Sequence, residues 1–183
     1  AKARYPLKKR NRNFLKGSVL VFVNRYSLQN PQSKCYSIVR FACERRHIMV
    51  SLPGTGETIS GFTVTELGFI HMLGARTVEF YHAHSGARLL YIQNDDPELG
   101  FNLIYRTPQF DGTDTNHILE HLLLSSCRKY PSRDIFFDMD NKSYSTFMNG
   151  LTDNTYTCYP ICTLSQEQLI KLVDVYLCCM EEP

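Results

Sequence analysis

The sequence predicts an α+β fold, an antiparallel sheet flanked by helices. Three observations predict it. Short apolar runs in the middle of the 183-residue chain are separated by hairpin-type turns. The last stretch carries apolar residues at helical spacing behind a capping serine. Strands come first and most helical signals later, the order of segregated rather than alternating elements. Composition agrees: 43% hydrophobic and 21% charged residues are ordinary for a globular chain and exclude wholesale disorder. The longest apolar run, Val19 to Val23, is too short to cross a bilayer or to form a secretory signal core.

The amino-terminal part is basic. Through residue 46 the chain carries twelve Lys/Arg and one acid, Glu44; the remainder carries eight Lys/Arg and seventeen acids, so the net charge of +2 hides an asymmetry. Lys2, Arg4, Lys8, Lys9, Arg10, Arg12 and Lys16 give residues 1–16 a transit-like composition. A solvated arm and a nucleic-acid-binding tail are the alternatives, and no aromatic interleaving or binding motif favours the last. The chain begins with Ala, which is read as processing or as a piece of a longer chain. Ser51-Leu-Pro-Gly-Thr-Gly56 is a turn-rich boundary. Two parts are therefore expected: a basic segment over 1–60, transit-like or disordered, and a partial domain over 61–183.

Within 61–183 the elements follow in order. Thr77–Tyr81 and Arg88–Gln93 read as strands around His84-Ser-Gly-Ala87, where Gly86 supplies the turn. Asn94-Asp-Asp-Pro97 is a second turn signal, and Phe101–Arg106 a third strand. Pro108–Thr115 is a polar loop in which Asp114 or Thr115 can cap a helix over about Asn116–Leu124. A second helix starts near Asp134. Tyr144–Leu151 leads into a β-rich stretch, Thr155–Ile161. Ser165 then caps a helix whose Leu169, Leu172, Val173, Tyr176, Leu177 and Met180 recur at i, i+3, i+4. The seven cysteines (Cys35, Cys43, Cys127, Cys158, Cys162, Cys178, Cys179) include no CxxC pair and no zinc-ribbon spacing, so they read as reduced, mostly buried thiols. Cys178 and Cys179 point in two directions from one helix and should not serve one site.

The chemistry is carried by His117-Ile-Leu-Glu120-His121. Histidines four apart on a helix share one face, so both imidazoles can reach a single ion. Glu120 lies on the same side, three residues from His117, where its carboxylate can take a proton from a water without being a ligand. Zinc brings the pKa of such a water towards about 7, and a peptide carbonyl is then open to attack. Ile118 and Leu119 face the other way and are expected to anchor the helix in the core. With six His and nine Glu in the chain, HxxEH arises by chance about 0.01 times. The alternative is a histidine pair beside a salt-bridged Glu.

HxxEH is the inverted zinc-peptidase signature, and its surroundings resemble the pitrilysin/insulinase family, most closely its presequence protease branch. The matching text is Arg106-Thr-Pro108, His117-Ile-Leu-Glu-His121, Arg128-Lys-Tyr-Pro131, Ser143-Tyr-Ser-Thr-Phe-Met-Asn149, Thr152, Tyr159-Pro160 and Asp174-Val-Tyr-Leu177, with His84-Ser-Gly-Ala87 and Asn94-Asp-Asp96 upstream. It covers roughly 61–183; residues 1–60 carry no such match. The resemblance implies that His117 and His121 are zinc ligands, Glu120 the general base and Asn149 a substrate-binding residue on a cleft strand. Read alone, Asn149 is a turn residue before Gly150. Arg128 and Lys129 are given no role.

The departures from the family pattern are specific. Ser125-Ser126-Cys127 and Asn141-Lys142-Ser143 each lack a family glycine, Asn-Ala has become Asn149-Gly150, and Asp114 stands where a glycine precedes the first ligand His. The family's third ligand is a Glu on a later helix, at a spacing that runs past Pro183. Glu167 is the nearest substitute and reads instead as a first-turn acid favoured by the helix dipole.

The function expected by resemblance is therefore that of a zinc metalloendopeptidase. It degrades unfolded oligopeptides such as targeting peptides, needs zinc and the remaining domains of a longer enzyme, and works in the mitochondrial matrix or otherwise in the cytoplasm. No membrane or nucleic-acid partner is expected. The alternative is an inactive, degenerate relative acting as an interaction or scaffold module.

Overall fold

The computed structural model describes residues 18–24 (as backbone), 52–110, 112–181 and 183. The transit-like stretch 1–16 and Cys35 and Cys43 lie outside the described residues.

Nine strands form one sheet among these residues, in the order β2-β3-β4-β5-β1-β6-β9-β7, with β8 also paired to β9. The strands are β1 (Ser18–Asn24), β2 (Thr58–Ile59), β3 (Phe62–Ile70), β4 (Ala75–His82), β5 (Arg88–Gln93), β6 (Leu99–Arg106), β7 (Ser145–Met148), β8 (Leu151–Thr152) and β9 (Tyr156–Thr163). The helices are α1 (Thr115–Leu123), α2 (Ile135–Lys142) and α3 (Gln166–Glu181). The α+β class is as the sequence predicts, and α1 begins one residue earlier than its pattern indicated.

Local chemistry sets the hairpins. Gly86, at φ 70°, turns the chain between β4 and β5, and Gly74, at φ 57°, follows a 3-10 turn between β3 and β4. A bulge between Val64 and Glu66 bends β3. The β2–β3 hairpin crosses Gly61 at φ 86°, so the sheet runs through the 60/61 boundary drawn from composition.

One pairing departs from the antiparallel pattern. β1 lies between β5 and β6, antiparallel to the first and parallel to the second. The connection 94–98 spans two strand spacings, about 10 Å, and five residues reach that easily. Asp96 N–H donates to Asn94 Oδ1 at 3.3 Å and Glu98 N–H to Asp96 Oδ1 at 2.9 Å, which shapes the crossing. The apolar run Val19–Val23, read only as too short for a membrane, is thus a central strand of the sheet.

The core sits between the sheet and α3. Leu89, Phe101, Leu103, Met148, Tyr159 and Ile161 meet Leu169, Leu172, Val173, Tyr176, Leu177 and Met180 in one buried cluster. Each such side chain contributes about 1.5–3 kcal/mol on burial. The Ser165 hydroxyl accepts from Gln168 N–H at 3.4 Å, as a cap should. Asp134 caps α2 by accepting from Phe137 N–H at 3.1 Å. Between α1 and α2, Lys129 and Tyr130 both donate to Asp174 of α3, the lysine at 2.7 Å. Beneath them Cys127 and Cys179 are buried together with Ile135, and Cys178 packs against the same cluster.

Candidate functional site

α1 carries the site and lies against β8 and β9. Its inward positions are Glu120, Leu123 and Leu124, all buried. This corrects the expectation for Ile118 and Leu119, which are 57% and 39% exposed. With i, i+3 and i+4 on the sheet, the positions between them fall on the outer face, and Leu122 joins them there.

His117 and His121 are exposed on α1, one turn apart. Their rings are 4.9 Å apart between centroids, and Nε2 of one lies 3.2 Å from Nε2 of the other. Two nitrogens held by one tetrahedral zinc at the usual bond length are about 3.3 Å apart. The pair therefore fits a single shared ion of that kind. His117 Nδ1 lies 3.1 Å from Asp114 Oδ2.

Glu120 is the buried member, 5% exposed. Its Oε2 accepts a hydrogen bond from Thr152 of β8. Its carboxyl packs on Gly150, where a Cβ would lie within 2.9 Å of Glu120 Cδ. The structure thus brings the two imidazoles together and turns the carboxylate towards Thr152 and Gly150. Among the described residues no third His, Cys, Asp or Glu joins the histidines in a set able to hold an ion. Glu167 lies in the first turn of α3 and accepts from Lys171 at 2.8 Å.

Asn149 follows β7 directly, next to the Gly150 that receives Glu120. Its N–H donates to Pro160 O at 3.1 Å, and its Oδ1 accepts from Gly150 N–H at 3.0 Å. Its carbonyl accepts from the Tyr176 hydroxyl at 3.4 Å. Burial pushes the Tyr176 phenol well above its ordinary pKa, so it stays a donor. Burial likewise raises the Cys158 thiol on β9, with the Glu120 charge adding to it. Two partners were missed from sequence: Thr152 as the donor to Glu120 and Asp114 as the acceptor beside His117. Thr152 could have been found as a polar residue on a short strand two positions past Gly150.

The amino-acid sequence that builds this site has relatives among known proteins. No family model matches the chain. The Presequence protease, mitochondrial, of Xenopus tropicalis is 42% identical over 122 residues, 67% of this chain and 12% of that protein. The mouse protein of the same name is 41% identical over 122 residues. That of Emericella nidulans is 37% identical over 145 residues, 77% of this chain and 14% of that protein. The chain belongs to the pitrilysin family of peptidases. The relatives named here are presequence proteases, and the chain spans about 12–14% of their length.

Proposed function

We propose that this domain carries the zinc-binding helix of a metalloendopeptidase that cleaves unfolded oligopeptides, targeting peptides among them. The relatives' names suggest a mitochondrial location, which we extend to the matrix. The observation that carries the reading is the 3.2 Å approach of the two Nε2 atoms, on a helix that also supplies a carboxylate. His117 and His121 would hold the metal. When bound, zinc supplies Lewis-acid chemistry that polarises a carbonyl and acidifies water. Glu120 serves as the general base: its carboxylate receives the proton and passes it to the leaving amine. Thr152 holds that carboxylate at a fixed place. Among the described residues β7 is the last strand on its side of the sheet, and that edge can take an extended peptide by main-chain hydrogen bonds. Asn149, at the end of that strand, orients the bound peptide beside Glu120. Selection is then by unfoldedness more than by side-chain sequence. The remaining domains of a longer enzyme supply the third ligand and the far wall of the cleft.

The test measures zinc content and cleavage of a quenched unstructured peptide in the longer enzyme, as wild type and with Glu120→Gln or His121→Ala. His121→Ala should lose metal and turnover. Glu120→Gln should keep metal and lose about 10²–10⁴-fold in kcat. Metal retained in His121→Ala, or turnover retained in Glu120→Gln, would overturn the reading. One observation favours the second reading, an inactive relative serving as an interaction module: the Glu120 carboxylate is engaged by Thr152 rather than gathered with the imidazoles. Normal metal content with no turnover in the longer enzyme would support that reading.

A further inference from the structure

Asp114 has a glycine's backbone. Its φ of 57° and ψ of 24° place it in the left-handed region, which residues with a Cβ adopt at a cost and which Asp and Asn tolerate best. It precedes α1, where an aspartate ordinarily caps the helix, yet its side chain makes no capping hydrogen bond. Its carboxylate goes instead to His117, with Oδ2 3.1 Å from Nδ1. The helix start is secured by other groups. The Asp114 carbonyl accepts from the N–H groups of His117 and Ile118, and Asn116 Nδ2 donates to Thr107 O at 3.0 Å. The carboxylate is thus not needed to hold the turn.

A neutral imidazole carries one N–H. An acceptor at Nδ1 fixes that proton there and leaves the lone pair on Nε2, the nitrogen that meets Nε2 of His121. We propose that Asp114 is a positioning residue: it stands behind His117, fixes its tautomer and ring orientation, and aims Nε2 at the ion shared with His121. This rests on the reading of His117 as a metal ligand. The role belongs to the arrangement in which carboxylates orient ligand histidines, whose removal typically weakens metal affinity about 10–100-fold.

The test uses the full chain, without metal and then with zinc alone. Nitrogen-15 NMR of the metal-free protein should show His117 with its proton on Nδ1. Asp114→Gly should shift it towards the Nε2–H form, while Asp114→Asn, which keeps an acceptor oxygen, should restore it. Competition with a chromophoric chelator should show zinc affinity about 10–100-fold weaker in Asp114→Gly and less affected in Asp114→Asn. Glycine suits the backbone at this position, so the thermal midpoint of Asp114→Gly should stay level or rise, which separates positioning from folding. An unchanged tautomer and affinity in Asp114→Gly, with zinc bound by the wild type, would overturn the role of Asp114 alone. Zinc bound equally well after His121→Ala, in this chain or in the longer enzyme that supplies the third ligand, would overturn the ligand reading and this role with it.

Discussion

A Cβ added to Gly150 would meet the Glu120 side chain at three atoms, Cδ within 2.9 Å and Cγ within 3.1 Å among them. The obstructing atoms are the far end of a flexible side chain, so Gly150→Ala should still fold while moving the carboxylate off Thr152, at about the cost of losing that donor. That predicts a non-additive pair. Thr152→Val alone leaves a buried carboxylate without its donor and should cost about 1–3 kcal/mol. In a Gly150→Ala background the same change should cost close to nothing, and chemical denaturation of the four proteins measures the coupling. Equal costs in both backgrounds would mean that Glu120 does not depend on the space at Gly150. At this scale the sequence was informative about types and spacing. HxxEH showed a shared face for the two histidines, because helix geometry alone decides that. The direction of the Glu120 carboxylate was not legible, since it depends on a missing Cβ thirty residues away. Asp114 was legible as a candidate cap and as a lost glycine, but not as a partner of His117. The structure shows why the loss is tolerated: the residue keeps the glycine backbone and uses its carboxylate elsewhere.

The turn between α1 and α2 is tied to α3 by one carboxylate, Asp174, which accepts from both Lys129 and Tyr130. Those hydrogen bonds raise the pKa of both donors above their ordinary values, that of Lys129 chiefly through Asp174 and that of Tyr130 likewise. A group whose pKa rises on folding stabilises the fold fully below its unfolded value and less as pH climbs through the folded one. Asp174→Asn should therefore lower stability by about 1 kcal/mol at neutral pH. The gap from wild type should hold to about pH 9 and narrow above about pH 10, where unfolded Tyr and Lys begin to titrate. Thermal melts at stepped pH check it, and a gap unchanged at high pH would assign the effect elsewhere. Asp134→Ala should cost about 1 kcal/mol through the lost cap of α2, read in the same melts. Elements with both a cap and a period were legible: α3 lies where Ser165 and its apolar stripe put it. α1 was placed correctly and oriented wrongly, because Ile118 and Leu119 look like core residues until the sheet is known to take Glu120, Leu123 and Leu124.

At the scale of the whole molecule, the α+β class was legible from turn chemistry and from the order of elements. The sheet's one parallel pairing was not. An apolar run of Val, Leu and Phe without alternation does not say which strands flank it, and a basic surrounding pulled β1 into a segment read as separate. Its place has a consequence for how the chain can be shortened. β1 is bonded along both sides, to Arg88–Gln93 and to Leu99–Arg106, so it works as a wedge between two halves of one sheet. A protein cut after residue 24 would be left with a slot bounded by two open strand edges, the kind of exposed backbone that recruits other chains. Such a truncation should aggregate. A synthetic peptide copying Ser18–Asn24, added in trans, should bind the slot and restore solubility, and a scrambled peptide of the same composition should not. Removing residues 1–17 spares the wedge, whereas trimming seven residues further splits the sheet.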